Sequence, residues 1–152
     1  MSKSTVESEV GYELKRVQHA LRLSMDRGLR KDGLTTPQYA TLSALAAEPG
    51  LSGAELARRS FVTPQTMNVI VTKLNEAGLI ERRRHPVHGR VLQTYLTEVG
   101  AELTVQADEI ADGISRRMLS GLEQDERLRL LDILRSCADA LGDGERQPVS
   151  GH

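Results

Sequence analysis

Apolar residues recur every three or four positions at Val6, Val10, Leu14, Val17, Leu21 and Met25, with Glu, Lys, Arg and Gln on the other faces. That spacing predicts one amphipathic helix from Val6 to about Leu29, ended by Arg30-Lys31-Asp32-Gly33. A shorter helix follows, with Tyr39, Leu42 and Leu45 as its buried stripe and Glu48-Pro49-Gly50 as its stop. Thr35 and Gln38 have capping-box spacing, and Thr36 before Pro37 is an equally good start. Ser52-Gly53-Ala54-Glu55 repeats the capping box, which puts Leu56 and Ala57 on the core side. Phe61-Val62 is then the apolar pair expected to wedge two helices at the crossing of a helix-turn-helix.

The next helix has both ends written in the sequence, with Thr63-Pro64 favoured at a start and Gly78 favoured just past a stop. Met67, Ile70, Leu74 and Ala77 define its inward face. At about 100° per residue, Gln65, Val69 and Thr72 project outward, with Thr66, Asn68 and Lys73 on the shoulders. Residues 79–84 read as a strand, His85 to Gly89 as a loop, and Arg90 to Leu96 as a returning strand, giving a β-hairpin. From Thr97 a long stripe runs through Leu103, Ala107, Ile110, Ile114 and Met118 until Gly121 interrupts it. Leu128, Leu131, Leu134, Ala138 and Leu141 form a last stripe behind the acidic run 123–126, which suits a helix N-terminus.

The predicted fold class is therefore mainly α with a small β-hairpin wing: a winged helix-turn-helix plus a helical dimerisation region. The expected organisation is an N-terminal dimerisation helix at 1–33, the winged unit at 34–97, C-terminal dimerisation helices at 98–142 and a disordered tail at 143–152. Dimerisation is inferred from surplus apolar surface. The first helix and the last two carry stripes that the small winged unit cannot cover, and pairing two chains would bury them.

Composition agrees with helices, since the 152 residues include one Phe, three Tyr and no Trp. The net charge of −1 hides an asymmetry: residues 1–52 hold seven Lys/Arg against six Asp/Glu, residues 53–97 seven against three, and residues 98–152 six against twelve. The basic middle suits a DNA-facing surface, where phosphate neutralisation supplies most non-specific affinity, and the acidic end should face away. Cys137 is the sole cysteine, expected as a small core residue, so a disulfide or Cys-rich zinc site cannot be built within the chain. His85 and His88 form no recognisable zinc pattern with the remote His19 and His152. No apolar run reaches membrane-spanning length, and the expected location is the cytoplasm. No cofactor, metal site or catalytic constellation is expected, which argues against an enzyme.

On the outward face of the Thr63–Gly78 helix, Gln65 and Asn68 can pair with adenine, Val69 and Thr72 can touch the thymine methyl, and Lys73 can meet a phosphate. Thr63, Pro64 and Thr66 lie at the end that enters the major groove. In the wing, Arg82, Arg83, Arg84, His88 and Arg90 are the candidate contacts, with Arg90 beside Gly89 the best placed for a narrow minor groove. The alternatives are a solvated polar face or a winged-helix module that binds protein; the amides and threonines of the outward face count against the latter.

The chain resembles the MarR family of bacterial regulators from about Val10 to Leu141. The resemblance rests on residues 34–42, on Ala54-Glu55-Leu56-Ala57, on residues 74–82, and on Gly89-Arg90 through Leu96-Thr97-Glu98-Val99-Gly100, in that order and spacing. It implies a dimeric winged-helix transcriptional regulator. Such a dimer would set two recognition helices on successive major grooves of a palindromic operator, about 34 Å apart. It further implies repression of a nearby operon, released when a small aromatic or lipophilic anion binds between the dimer helices and the winged unit. Arg16, His19 and Tyr39 are the candidate pocket residues on that basis. His85 and His88 stand where the family commonly has acidic wing residues. The early reactive Cys of the hydroperoxide-sensing branch is missing.

Overall fold

The computed structural model describes residues 4–142. The tail at 143–152 and His152 lie outside the described residues. Helix α1 spans Val6–Leu29 and is capped by Thr5 through a reciprocal bond with Ser8. A short 3-10 turn at Arg30–Asp32 leads to α2, Thr36–Ala47, whose N-cap is Thr35 rather than Thr36, closed by Gln38 reaching back to the Thr35 N–H. Then come β1 (Leu51–Ser52), α3 (Gly53–Arg59), α4 (Pro64–Glu76), β2 (Ile80–Arg84), β3 (Leu92–Leu96), α5 (Glu98–Met118) and α6 (Gln124–Ala140).

The sheet is antiparallel with strand order β1-β3-β2, in register Leu51 with Thr94 and Arg82 with Thr94. A hairpin alone was expected. The two-residue β1 adds a third strand on the β3 edge and joins the wing to the start of α3.

One continuous core holds the head together, formed by Leu42, Leu45, Leu56, Met67, Leu74 and Ile80 with Met25 and Leu29 from α1 and Ala107 from α5. The C-terminal third of α1 and the first half of α5 are thus part of the same core as the winged unit, and the expected boundaries at 33 and 97 do not divide the packing. The N-terminal two thirds of α1 and the whole of α6 bury nothing within the chain.

Three expectations about burial need correction. Cys137 is exposed, because α6 packs no face into this core. Phe61 wedges nothing: it is 79% exposed with a left-handed backbone (φ 55°), and Val62 alone packs against the core. Ala77 is exposed as the C-cap of α4, while Val71, nearly two turns before it, is buried.

Candidate nucleic-acid interface

Helix α4 is fixed at both ends by its own sequence. The Thr63 hydroxyl accepts from the Thr66 N–H at 3.2 Å, and Pro64 occupies the first turn, where its missing N–H costs nothing. At the other end the Leu79 N–H donates to the Leu74 carbonyl and the Gly78 N–H to the Asn75 carbonyl, a Schellman closure that needs the left-handed φ of 74° Gly78 supplies. Met67, Ile70, Val71 and Leu74 are buried. Gln65, Thr66, Asn68, Val69, Thr72 and Lys73 are all exposed, as the helical period predicts. The Thr72 hydroxyl donates to the Asn68 carbonyl at 2.7 Å, which leaves its methyl and the accepting side of its oxygen to meet a ligand.

The wing tip is longer than expected, because β3 begins at Leu92 and Arg90 lies in the turn rather than on the strand. The His85 N–H donates to the Val91 carbonyl, and the His85 Nδ1 accepts from the N–H groups of Val87 (3.0 Å) and His88 (2.9 Å). His85 therefore builds the loop. His88 is exposed, its ring centroid 5.0 Å from that of His85. Among the described residues no cluster of three or more metal-ligating side chains occurs.

The wing arginines are not equivalent. Arg83 is ion-paired with Glu81 and its guanidinium carbon lies 4.5 Å from the centre of the Tyr95 ring, so the one acid of the hairpin is spent on it. Arg82, next along the strand, points to the other face. Together with Arg90 it lines a groove whose opposite wall is Pro64 and Asn68 at the start of α4. Arg84 is exposed near the tip. Among the described residues Arg82, Arg84 and Arg90 have no ion pair, which leaves their charge for a polyanion. Arg90→Ala is expected to weaken binding to operator and unrelated duplexes alike and to reduce the log–log salt slope by about one, whereas Arg83→Ala changes it little. Fluorescence anisotropy over a salt series checks the contrast.

A second feature lies behind the reading helix. A cavity of about 670 Å³ opens between α1, α2, α5 and the α3–α4 turn, with Leu21, Arg22, Tyr39, Arg59, Ser60 and Val62 among its walls. Of the three predicted pocket residues only Tyr39 lines it. Arg16 is exposed and paired with Glu13 at 2.9 Å, and His19 sits exposed on α1, away from the cavity walls. Gln18, Leu21, Arg22 and Met25 share the face of α1 turned to the cavity, and Arg16 and His19 lie off that face. Tyr39 donates to Asp108 Oδ1 at 2.6 Å. Burial, then that bond and the Asp108 charge, push the phenol well above its ordinary range, so it stays neutral and its hydroxyl is committed. Asp26, at the rim, accepts from Thr36 Oγ1 and pairs with Arg22 at 3.2 Å. The Thr36 bond foremost, with Arg22 adding to it against partial burial, holds its carboxyl below the usual range and clasps α1 to the start of α2.

A helix-turn-helix with a basic wing, backed by a cavity, matches known proteins over most of its length. The model of the MarR family matches residues 32–91. The HTH-type transcriptional repressor Rv2887 of Mycobacterium tuberculosis is 38% identical over 133 residues, 86% of this chain and 96% of its own. The chain belongs to the MarR family. Rv2887 solved with DNA has a TM-score of 0.70 at 32% identity, covering 89% of this chain and 98% of that one. Its complex with p-aminosalicylic acid also scores 0.70, at 34% identity over 84% and 97%. The PcaV regulator of Streptomyces coelicolor, in complex with its natural ligand, scores 0.77 at 28% identity over 93% and 99%. As a MarR-family protein the chain is a winged-helix transcriptional regulator. Among the described residues no helix is long and apolar enough to cross a membrane.

Proposed function

We propose that this MarR-family regulator acts in the cytoplasm as a homodimeric repressor without enzymatic activity. It reads a palindromic operator through α4 and its wing and lets go when a small aromatic anion enters the cavity behind the reading helix. The observation that carries the reading is the pairing of an exposed amide and threonine face on α4 with two unpaired arginines across one groove. In this reading Gln65, Thr66, Asn68, Val69 and Thr72 meet base edges, and Thr63, Pro64 and Lys73 approach the phosphates. Arg82, Arg84, Arg90 and His88 serve the wing, and Arg83 braces it through Glu81 and Tyr95. A relative solved with DNA and with salicylic acid supports both halves. α1 and α6 supply the dimer contact. The face of α4 is too polar for the alternative of a protein-binding module.

Base readout and backbone contact separate in one experiment. Asn68→Ala is expected to cost about 1–3 kcal/mol on the operator and nearly nothing on random DNA, because a bidentate amide contact carries sequence information and a phosphate contact does not. Competition binding with operator variants checks it. An equal loss on both duplexes would remove Asn68 from the reading face.

A further inference from the structure

Building on the reading of the cavity as the effector site, we infer that the Arg59 guanidinium receives the effector's anionic group, exchanging Glu48 for it, and so carries the signal into the helix-turn-helix turn. Arg59 is the last residue of α3 and lines the cavity, with its side chain 22% exposed. It is ion-paired with Glu48, which caps the C-terminus of α2 and is 49% exposed. A partly buried cation beside a cavity, held by an acid that faces water, is arranged for exchange: a carboxylate arriving from the cavity keeps the guanidinium paired, and the displaced Glu48 is hydrated where it stands.

The neighbouring residue supplies the second contact. Ser60 lines the same cavity, and its Oγ is buried with no hydrogen-bond partner. A rotation of that hydroxyl toward the cavity would give it an acceptor in the other carboxylate oxygen. The competing cation, Arg22, is held by an Asp26 that is itself fixed by Thr36, and that clasp joins α1 to the start of α2 with no bond to α3 or α4. The Tyr39 hydroxyl is taken by Asp108. Arg59 and Ser60 thus offer the anion what the other walls do not.

The exchange has a mechanical consequence. The Arg59–Glu48 pair ties the end of α3 to the end of α2. Arg59 and Ser60 lead directly into Phe61, in its left-handed conformation, and Thr63, the cap of α4. Ligand capture releases the tie to α2 and draws the turn toward the cavity, and α4 moves with its cap. The ligand acts on the reading helix from the turn that starts it.

Calorimetric titration of the full-length protein with salicylate tests the exchange. Glu48→Gln, which removes the competing acid, is expected to bind salicylate about two- to fivefold more tightly than wild type, and Arg59→Gln about tenfold or more weakly. A purely structural ion pair predicts the opposite sign for Glu48→Gln, since loosening the turn would weaken the site. Unchanged or weaker binding by Glu48→Gln overturns the inference. Ala40→Leu, which fills the cavity from α2, separates the two levels. If it blocks salicylate while Glu48→Gln has no effect, the cavity stands and the exchange falls. If salicylate fails to bind wild type, or binds Ala40→Leu equally well, both fall.

Discussion

Replacing Leu131 and Leu134 together by Glu converts the protein to monomers and lowers operator affinity by about two orders of magnitude, as expected when two linked heads become one. Helix α6 buries no residue within its own chain, and Leu131 and Leu134 are 42% and 43% exposed on its surface together with Leu128. Val10, Leu14 and Val17 on α1 are exposed in the same way. Fully burying a side chain of this size is worth about 1.5–3 kcal/mol, so several such residues against a second copy supply the driving force for a dimer. Two buried carboxylates in their place cost more than the contact returns. None of these residues belongs to the core of the head, so the monomer keeps its helical spectrum. Sedimentation velocity and anisotropy give the readouts; a variant that stays dimeric and binds as wild type would move the interface elsewhere.

The second large effect is on stability. Gly100→Ala is expected to cost about 3 kcal/mol or more and to lower the unfolding midpoint by roughly 6–12 °C for a chain of this size. A β-carbon at position 100 would stand 1.9 Å from the Leu79 carbonyl oxygen, with backbone on both sides and no flexible side chain to give way. That contact is where the wing meets α5: the Thr97 N–H donates to the same Leu79 carbonyl at 3.1 Å, and the Thr97 hydroxyl to the Gly78 carbonyl at 2.6 Å. Gly113→Ala provides the control of opposite sign. Its β-carbon would meet only the Arg116 guanidinium at 3.8 Å, so the gain in helix propensity of about 0.5–1 kcal/mol is realised. Thermal unfolding by circular dichroism measures both.

The helices were legible because their ends are marked chemically and their stripes are long. Thr35, Ser52 and Thr63 cap as their spacing predicts, and α1 and α4 run between residues readable in advance; the caps Thr5 and Thr97 emerge only in the fold. What escaped has a physical reason in each case. β1 has two residues and therefore no periodicity; only its pairing with β3 defines it. Val71 was missed because a spacing of three and four traced too narrow a stripe, and it fills the space between Met67 and Leu74 that a wider face requires. Phe61 is apolar and adjacent to the turn, but a left-handed backbone aims it outward, and hydrophobicity alone does not encode that direction.

The candidate site divides along the same line. The outward face of α4 follows from helical geometry, and the sequence identified it residue by residue. The wing arginines could be counted, but the cross-strand placement that gives Arg83 to Tyr95 and leaves Arg82 facing α4 depends on register. The cavity joins α1, α2, α5 and the α3–α4 turn, so its cations, Arg22 and Arg59, are neighbours only after folding. Helix phase on α1 could have favoured Arg22 over Arg16, since it lies one turn before the buried Met25. No local signal marks Arg59.

The most direct test of a paired, α4-centred reading head is an anisotropy titration of the full-length protein on a duplex from its own upstream region that carries a palindrome. The comparison is the same duplex with one half-site scrambled, over a range of salt. Expected are two chains per duplex, a preference for the intact palindrome of up to about 10²-fold, and affinity that falls steeply as salt rises. Equal affinity for the scrambled duplex, or binding indifferent to salt, would contradict it.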